Sequence, residues 1–377
     1  MASRNALRMR LVLAALPTLL RNRLRRKPLD AAAPRTILVA QLLLLGDTVM
    51  LAPLLAKLRE RHPNARIVLT CPPGLLRLFE GRPWGVEAIA WDVRDTASLA
   101  RLCAAGPFDL ALVPADNRFS WIAAAAGAAR IVGFAGDKRW QKNLPITEFR
   151  PLPTTPRAFG DFAADLIDGA DPVPYGVGNW PLPEATPFDA PGGPYALIHL
   201  GASSPHKLWP AADWIDAIDR FAALGLEVVL ACGRGENALL DAVDPRRLHR
   251  HYPGNLDLAQ YWHLIAGARL LLCPDTGIAH LARLAGTPTV ALFGPGSPVL
   301  FGAGRFWRQQ PYAALWEPEI ACRDQNAVFE KPISWARQCW RTPAQCGNPR
   351  CIRAIPVERT VDAAQIFLRT PTETSSR

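Results

Sequence analysis

The sequence predicts an α/β protein made of two doubly wound parallel-sheet domains in tandem. Three observations carry this reading. Short apolar runs of strand length alternate with segments of helical periodicity. The alternation breaks in a Pro- and Gly-rich stretch near residues 151–194 and then restarts. Polar clusters fall immediately after the apolar runs, where sheets of this class hold their ligands.

In chain order, "TILVAQ" (36–41) reads as the first strand. "LLLLGDTVMLAPLLAKLRERHP" follows as a Gly-Asp turn leading into a helix that ends near Arg61. "ARIVLTCP", "VEAIAW", "DLALVPA" and "ARIVGF" read as further strands. Between them "PPGLLRLFE", "TASLARLCAAG" and "SWIAAAAGA" have helical spacing. After the break, "YALIHLG", "LEVVLACG", "RLLLCPD" and "TVALFG" are strands. "PAADWIDAIDRFAALG", "GENALLDAVDP", "DLAQYWHLIAGA" and "GIAHLARLAG" are the helices that separate them. The resulting division is a basic segment at 1–35, a first domain at 36–178 and a linker at 179–193. A second domain follows at 194–355, then a helix and disordered end at 356–377.

The chain has 377 residues, 49% of them apolar, enough for two sizeable cores. No run reaches the roughly 18–20 uninterrupted apolar residues of a membrane-spanning helix. The net charge is +10, but its placement argues against nucleic acid. Residues 1–35 hold nine Arg and Lys against Asp30 alone, which is +8 and leaves +2 for the rest. A basic segment around "LVLAALPTLL" (11–20) suits an anionic membrane surface. A disordered or partly helical tail is the plainer reading. Basic residues follow that run directly with no small-residue cleavage site, which argues against a signal peptide. Cys71, Cys103, Cys232 and Cys273 sit in or beside apolar runs and read as buried thiols. Cys322, Cys339, Cys346 and Cys351 cluster late in the chain without a paired C-x-x-C, leaving a disulfide or a metal site open.

In the second domain, Ser203, Ser204 and Lys207 follow one strand, and Gly233 and Glu236 follow the next. Asp275, Thr276, Gly277 and His280 follow a later one. Helix-start amides and close-approaching glycines make an anion site, to which Lys207 adds a point charge. Glu236 is suited to ribose hydroxyls, as carboxylates are in dinucleotide sites. Taken singly, Asp275 is also a good helix cap and His280 a satisfied structural histidine. In the first domain Asp47 is a lone acid in a long apolar stretch. It is either a helix cap or a base at a cleft mouth, able to take a proton from a substrate hydroxyl. No G-x-G-x-x-G follows the first strand, and no P-loop, G-x-S-x-G or H-E-x-x-H occurs.

The segments "ILVAQLLLLGDTVMLAPLLAKLRERHPNARI", "HLGASSPHKLWPAADW", "VVLACGRGE" and "CPDTGIAHLARLAGTPTVALFGPGSP" together resemble the lipopolysaccharide heptosyltransferases, glycosyltransferase family 9. The resemblance covers about residues 36–365, and "CGNPRCIRAIPVERTVDAA" resembles the family's Cys-containing tail. It implies a GT-B fold, two Rossmann-like doubly wound domains facing a cleft. The first would take the acceptor and the second the nucleotide sugar, with inversion at the anomeric centre. Carried onto this chain, it makes Asp47 the base. Lys207, Ser203 and Ser204 would lie near the donor phosphates, with Gly233 in the adjoining loop and Glu236 near the nucleoside. Asp275, Thr276, Gly277 and His280 would line the donor pocket. It implies ADP-heptose as donor and a lipid-linked saccharide as acceptor, no cofactor and no metal. The place of action would be the cytoplasmic face of the bacterial inner membrane, peripherally. The first loop, "LLLLGD", is more apolar than the family's, and 301–339 diverges as an insertion near the cleft. Two other expectations stand beside transfer. One is a nucleotide-sugar epimerase or hydrolase on the same scaffold; the other is a catalytically silent membrane-surface binding protein.

Overall fold

A computed structural model of the chain describes residues 4–24 and 33–369. The expected disordered end, residues 370–377, and residues 1–3 and 25–32 of the basic segment lie outside the described residues.

The chain opens with α1 (Arg4–Leu24), a helix rather than an unstructured tail. The first sheet and its helices then follow as β1 (Thr36–Val39), α2 (Leu45–Val49), α3 (Ala52–Arg61), β2 (Arg66–Cys71) and β3 (Val86–Ala90). They continue with α4 (Thr96–Ala105), β4 (Leu110–Val113), α5 (Ser120–Ala125), β5 (Arg130–Phe134), α6 (Trp140–Asn143) and β6 (Glu148–Arg150). After α7 (Phe159–Ala163) the second set begins with β7 (Tyr195–His199), α8 (Ala211–Ala222), β8 (Glu227–Cys232), α9 (Asn237–Val243) and β9 (Arg250–Pro253). It proceeds through α10 (Leu258–Gly267), β10 (Leu270–Pro274), α11 (Gly277–Ala285), β11 (Thr289–Phe293), α12 (Pro298–Phe301) and β12 (Tyr312–Trp316). A small hairpin, β13 (Ala327–Val328) and β14 (Lys331–Pro332), precedes α13 (Arg350–Arg353) and α14 (Val357–Arg369).

Both six-stranded sheets are parallel and share one order. The first runs β3-β2-β1-β4-β5-β6 and the second β12-β11-β10-β7-β8-β9. In each, the order reverses beside the first strand, β1 against β4 and β7 against β10. Those two reversals open crevices at the carboxyl ends of the strands. The central strands are apolar on both faces because helices cover both. Ile37, Leu38 and Val39 of β1 and Leu270, Leu271 and Leu272 of β10 are fully buried.

Three local expectations differ from the structure. "PPGLLRLFE" forms a 3-10 helix over Pro73–Phe79 rather than an α-helix. The edge strands β6, β9 and β12 carry no strand-like signal of their own and are largely half-buried. Cys103 is exposed on α4, its thiol donating to the Ala125 carbonyl at 3.4 Å, whereas Cys71, Cys232 and Cys273 are buried.

Aromatic residues join the domains beside the linker. Trp180 packs on Phe79 and Trp84, with its indole N–H donating to the Leu78 carbonyl at 2.6 Å. Tyr175 packs on Trp307, and its hydroxyl donates to the Leu284 carbonyl at 3.0 Å. α2 and α11 meet across the cleft through glycines. A Cβ on Gly46 would lie 2.7 Å from the His280 ring and one on Gly277 3.0 Å from Leu45, so larger residues would push the domains apart there.

Candidate active site

The site is assembled from the ends of β1, β7 and β10. The loop leaving β1 is held to β2 by Gln41, whose amide donates to Thr70 Oγ1 at 2.9 Å and whose carbonyl accepts from that hydroxyl at 2.7 Å. Thr48 donates back to the Leu43 carbonyl at 3.3 Å. This fixed loop delivers Asp47 into the first turn of α2, where a carboxylate meets the positive end of the helix. Asp47 is not the cap: Leu44 holds that position without a side-chain bond. Burial in the cleft raises the Asp47 carboxyl from 3.8 to about 6, with Lys207 opposing the shift and Asp275 adding to it.

Lys207 ends a short 3-10 turn after β7. Its Nζ donates to the Asp275 carboxylate at 2.9 Å and to the Asp275 carbonyl at 2.7 Å. An ammonium has three donors, so one N–H remains. Asp275 is 5% exposed, and this bond satisfies it. Asp275 is not the cap of α11; Thr276 is, its hydroxyl accepting from Ile278 N at 3.3 Å. The loop after β11 closes over the Asp275 carboxylate at Gly296, where a Cβ would collide with Asp275 Oδ2.

His280 is 4% exposed on α11. Burial, with the cations Arg283 and Lys207 beside it, keeps its pKa well below the ordinary imidazole value, so the ring is neutral. Arg283 lies with its guanidinium 3.8 Å from the Tyr312 ring centroid and donates to the Phe301 and Gly302 carbonyls at 3.2 and 3.1 Å. It thereby ties α11 to α12.

Asp47, Ser203, Lys207, Asp275, Thr276, Gly277 and His280 line one cavity of about 240 Å³ between the two domains. The start of α11 contributes Thr276 and Gly277, so helix-end amides and an ammonium face the same space. Ser204, Gly233 and Glu236 stand off its wall. Ser204 accepts from His206 N at 3.4 Å, and Glu236 accepts from Gly233 N at 2.7 Å beneath Gly201.

Sequence reasoning missed part of the lining. Gly296 and Pro295 belong to "GPGSP", whose Pro-Gly pair directly after a strand was a legible sign of close approach. Gln338 and Cys339 come from the divergent segment and Trp340 directly follows it, a stretch with no periodicity to betray them. That segment crosses from the second domain to the first. Lys331 donates to the Ala115 carbonyl, Glu330 accepts from Lys142 at 2.9 Å, and the Trp335 indole donates to the Pro153 carbonyl at 2.9 Å. Phe329 packs on Phe159 with ring centroids 4.7 Å apart. Burial pulls the Lys331 ammonium down to about 8.

A neighbouring cavity of about 260 Å³ is lined by Cys322, Cys339, Cys346 and Cys351 with His206. All four are free thiols, and among the described residues no three His, Cys, Asp or Glu side chains are grouped to hold a metal ion.

The family model described as glycosyltransferase family 9 (heptosyltransferase) matches residues 97–331, more than half of the chain. Lipopolysaccharide heptosyltransferase 1 of Pseudomonas aeruginosa is 28% identical over 209 residues, covering 53% of this chain and 56% of that protein. The chain spans about half the length of the curated relatives it matches. The glycosyltransferase family 9 structure from Veillonella parvula superimposes with a TM-score of 0.66 at 19% identity, over 89% of this chain and 97% of that one. The structure of E. coli ADP-heptose lps heptosyltransferase II does so with a TM-score of 0.65 at 19% identity, over 89% and 98%. These likenesses give the fold as the two-domain GT-B arrangement of the heptosyltransferases. The family model, matching more than half of the chain, shows the family: the chain belongs to glycosyltransferase family 9.

Proposed function

We propose that the protein is an inverting glycosyltransferase that moves heptose from ADP-heptose to a lipopolysaccharide core or related lipid-linked saccharide. The observation that carries this reading is the meeting of Asp47 from one domain with Lys207 and the α11 start from the other in a single cavity. The matched family's description and the relatives' names support the sugar and the pathway class.

In this reading the Asp47 carboxylate takes the proton of an acceptor hydroxyl. The oxygen attacks the anomeric carbon from the face opposite the diphosphate. The bond from that carbon to the phosphate oxygen breaks, and its electron pair leaves with ADP. One displacement inverts the centre. A carboxyl pKa of about 6 suits a base working near neutrality, which is ionised yet still basic enough to accept a proton. The remaining Lys207 N–H and the α11 amides stabilise the charge growing on the leaving diphosphate. We assign that stabilisation to these groups and propose no metal or cofactor in the reaction. Ser203 and Ser204, after β7, would lie toward the phosphates, while Gly233 and Glu236 would act from the adjoining β8 end, with Glu236 toward the nucleoside. The enzyme would work peripherally at an anionic membrane surface on the cytoplasmic side of the inner membrane, where a lipid-linked acceptor is displayed.

The test is incubation with ADP-heptose, with and without a core-saccharide acceptor, read by mass of the product. A heptose-sized mass gain on the acceptor that persists in EDTA is expected. ADP release or donor epimerisation at the same rate without acceptor would replace transfer with donor processing.

A further inference from the structure

α1 has two apolar faces, and only one is used. Leu11, Ala14, Ala15 and Thr18 turn toward the first domain, where the helix packs along α5. Ala15 is fully buried there and Thr18 5% exposed. Near its end, Arg21 donates to the Gly127 carbonyl at 2.9 Å and Asn22 to the Ala128 carbonyl at 3.1 Å. Those bonds fix how the helix is rolled on the domain, and so fix what its opposite face presents.

That face carries Met9, Leu13, Leu16, Leu20 and Leu24, spaced by three or four residues and therefore in one stripe. Their exposures run from 49% for Leu16 to 71% for Leu24. A continuous row of large apolar side chains in water marks a surface that is covered in use. Its surroundings say by what. Arg8, Arg10 and Arg23 are exposed beside the stripe, and the 1–35 segment as a whole carries +8 against +2 for the remainder. Apolar side chains rimmed by cations fit the boundary between acyl chains and anionic headgroups. A second copy of this chain would instead bring like charge against like. Among the described residues no helix is long and apolar enough to cross a membrane, so α1 is suited to lie on one.

We propose that the outer face of α1 is a membrane-docking surface that seats the first domain on an anionic lipid bilayer. α1 belongs to the same packed cluster as Leu42, in the loop that delivers Asp47. Seating α1 therefore holds the base-bearing side of the cleft at the surface that displays a lipid-linked acceptor. The inference rests on the proposed acceptor for its purpose, whereas its measurement needs no turnover.

The test uses the full chain and sedimentation with phosphatidylcholine vesicles, with and without phosphatidylglycerol. Partition onto phosphatidylglycerol vesicles should exceed that onto phosphatidylcholine by about tenfold or more and fall with added salt. A triple variant, Leu13→Glu, Leu16→Glu and Leu20→Glu, should lose about tenfold or more of that partition. Its melting temperature and its transfer to a water-soluble acceptor fragment should stay unchanged, because these side chains face solvent. As a control for any variant that melts early, Leu13→Ser with Leu16→Ser should give an intermediate loss. Equal partition of wild type and both variants overturns the proposal. So does a wild-type dimer in sedimentation velocity that the triple variant abolishes, which would give the stripe to a second copy.

Discussion

After β1 the chain presents Leu42, Leu43 and Leu44 and a single acid, Asp47; after β7 and β10 it presents Ser203, Lys207, Asp275 and Thr276. The two sheets behind these loops have the same strand order, so backbone topology does not explain the contrast. It lies in side chains placed at equivalent crevices. The second crevice is rich in donors, with the Lys207 ammonium balanced by the Asp275 carboxylate, which suits the diphosphate of the proposed donor. The first is apolar around one desolvated carboxylate, which strengthens that carboxylate as a base. A duplicated architecture thus supplies two dissimilar half-sites, and the chemistry needs both to face one cavity.

Asp47 is where the first half-site can be disabled on its own. Asp47→Asn keeps size and packing and removes the base, so kcat should fall by about 10²–10⁴-fold. Titration calorimetry with the ADP-sugar should find donor affinity little changed. Wild-type turnover would remove Asp47 from the mechanism.

Breaking the second half-site should do the reverse. Lys207→Ala should weaken donor binding by about 10–100-fold, the worth of a charged hydrogen bond. It should also leave the Asp275 carboxylate unpaired. Lys207 is partly in contact with water, so the cost to stability is put at ~1–3 kcal/mol, readable by urea unfolding.

A pH series probes the first half-site with smaller changes. With the Asp47 pKa at about 6, kcat/KM should rise with pH through a midpoint near that value as the base ionises. Stability should move the other way. A carboxyl whose folded pKa lies above its unfolded 3.8 stabilises the fold fully below 3.8, and that contribution is lost as pH rises through about 6. Two pH units would correspond to ~3 kcal/mol. Water in the half-exposed cleft reduces this to ~1–2 kcal/mol, so Asp47→Asn should melt higher than wild type at pH 7.5 and not at pH 4. Equal melting at both pH values would show that burial does not raise this pKa.

Much of the fold was legible because the central strands advertise themselves. "TILV", "YALIH" and "RLLL" are apolar without alternation, which is how a strand covered on both faces reads. Of the four edge strands of the two six-stranded sheets, β3 was legible from its run "VEAIA", whereas β6, β9 and β12 were not. With one neighbour each and mostly half-buried, edge strands do not require an apolar run. Seven of the ten nominated site residues line the cavity, since strand ends in these sheets predict where ligands sit. Ser204, Gly233 and Glu236 stand off it, their side chains or amides spent on local bonds. Trp340 and Gln338 could not be found from sequence, because a segment without periodicity gives no sign of which cleft it crosses.

The order of residues along the chain dictates two parallel-sheet domains, the break between them and the chemical character of each crevice. Those follow from local hydrophobic runs, helix-start residues and charge, which need no knowledge of distant contacts. Packing alone brings Lys207 to Asp275 across 68 positions of chain. It also sets α2 within reach of His280 past Gly46 and lays α1 along α5 with a leucine stripe outward. The reason is physical: the pKa of Asp47 and the exposure of Leu13 depend on what surrounds them in space, and neighbours in space are set by packing rather than by order along the chain.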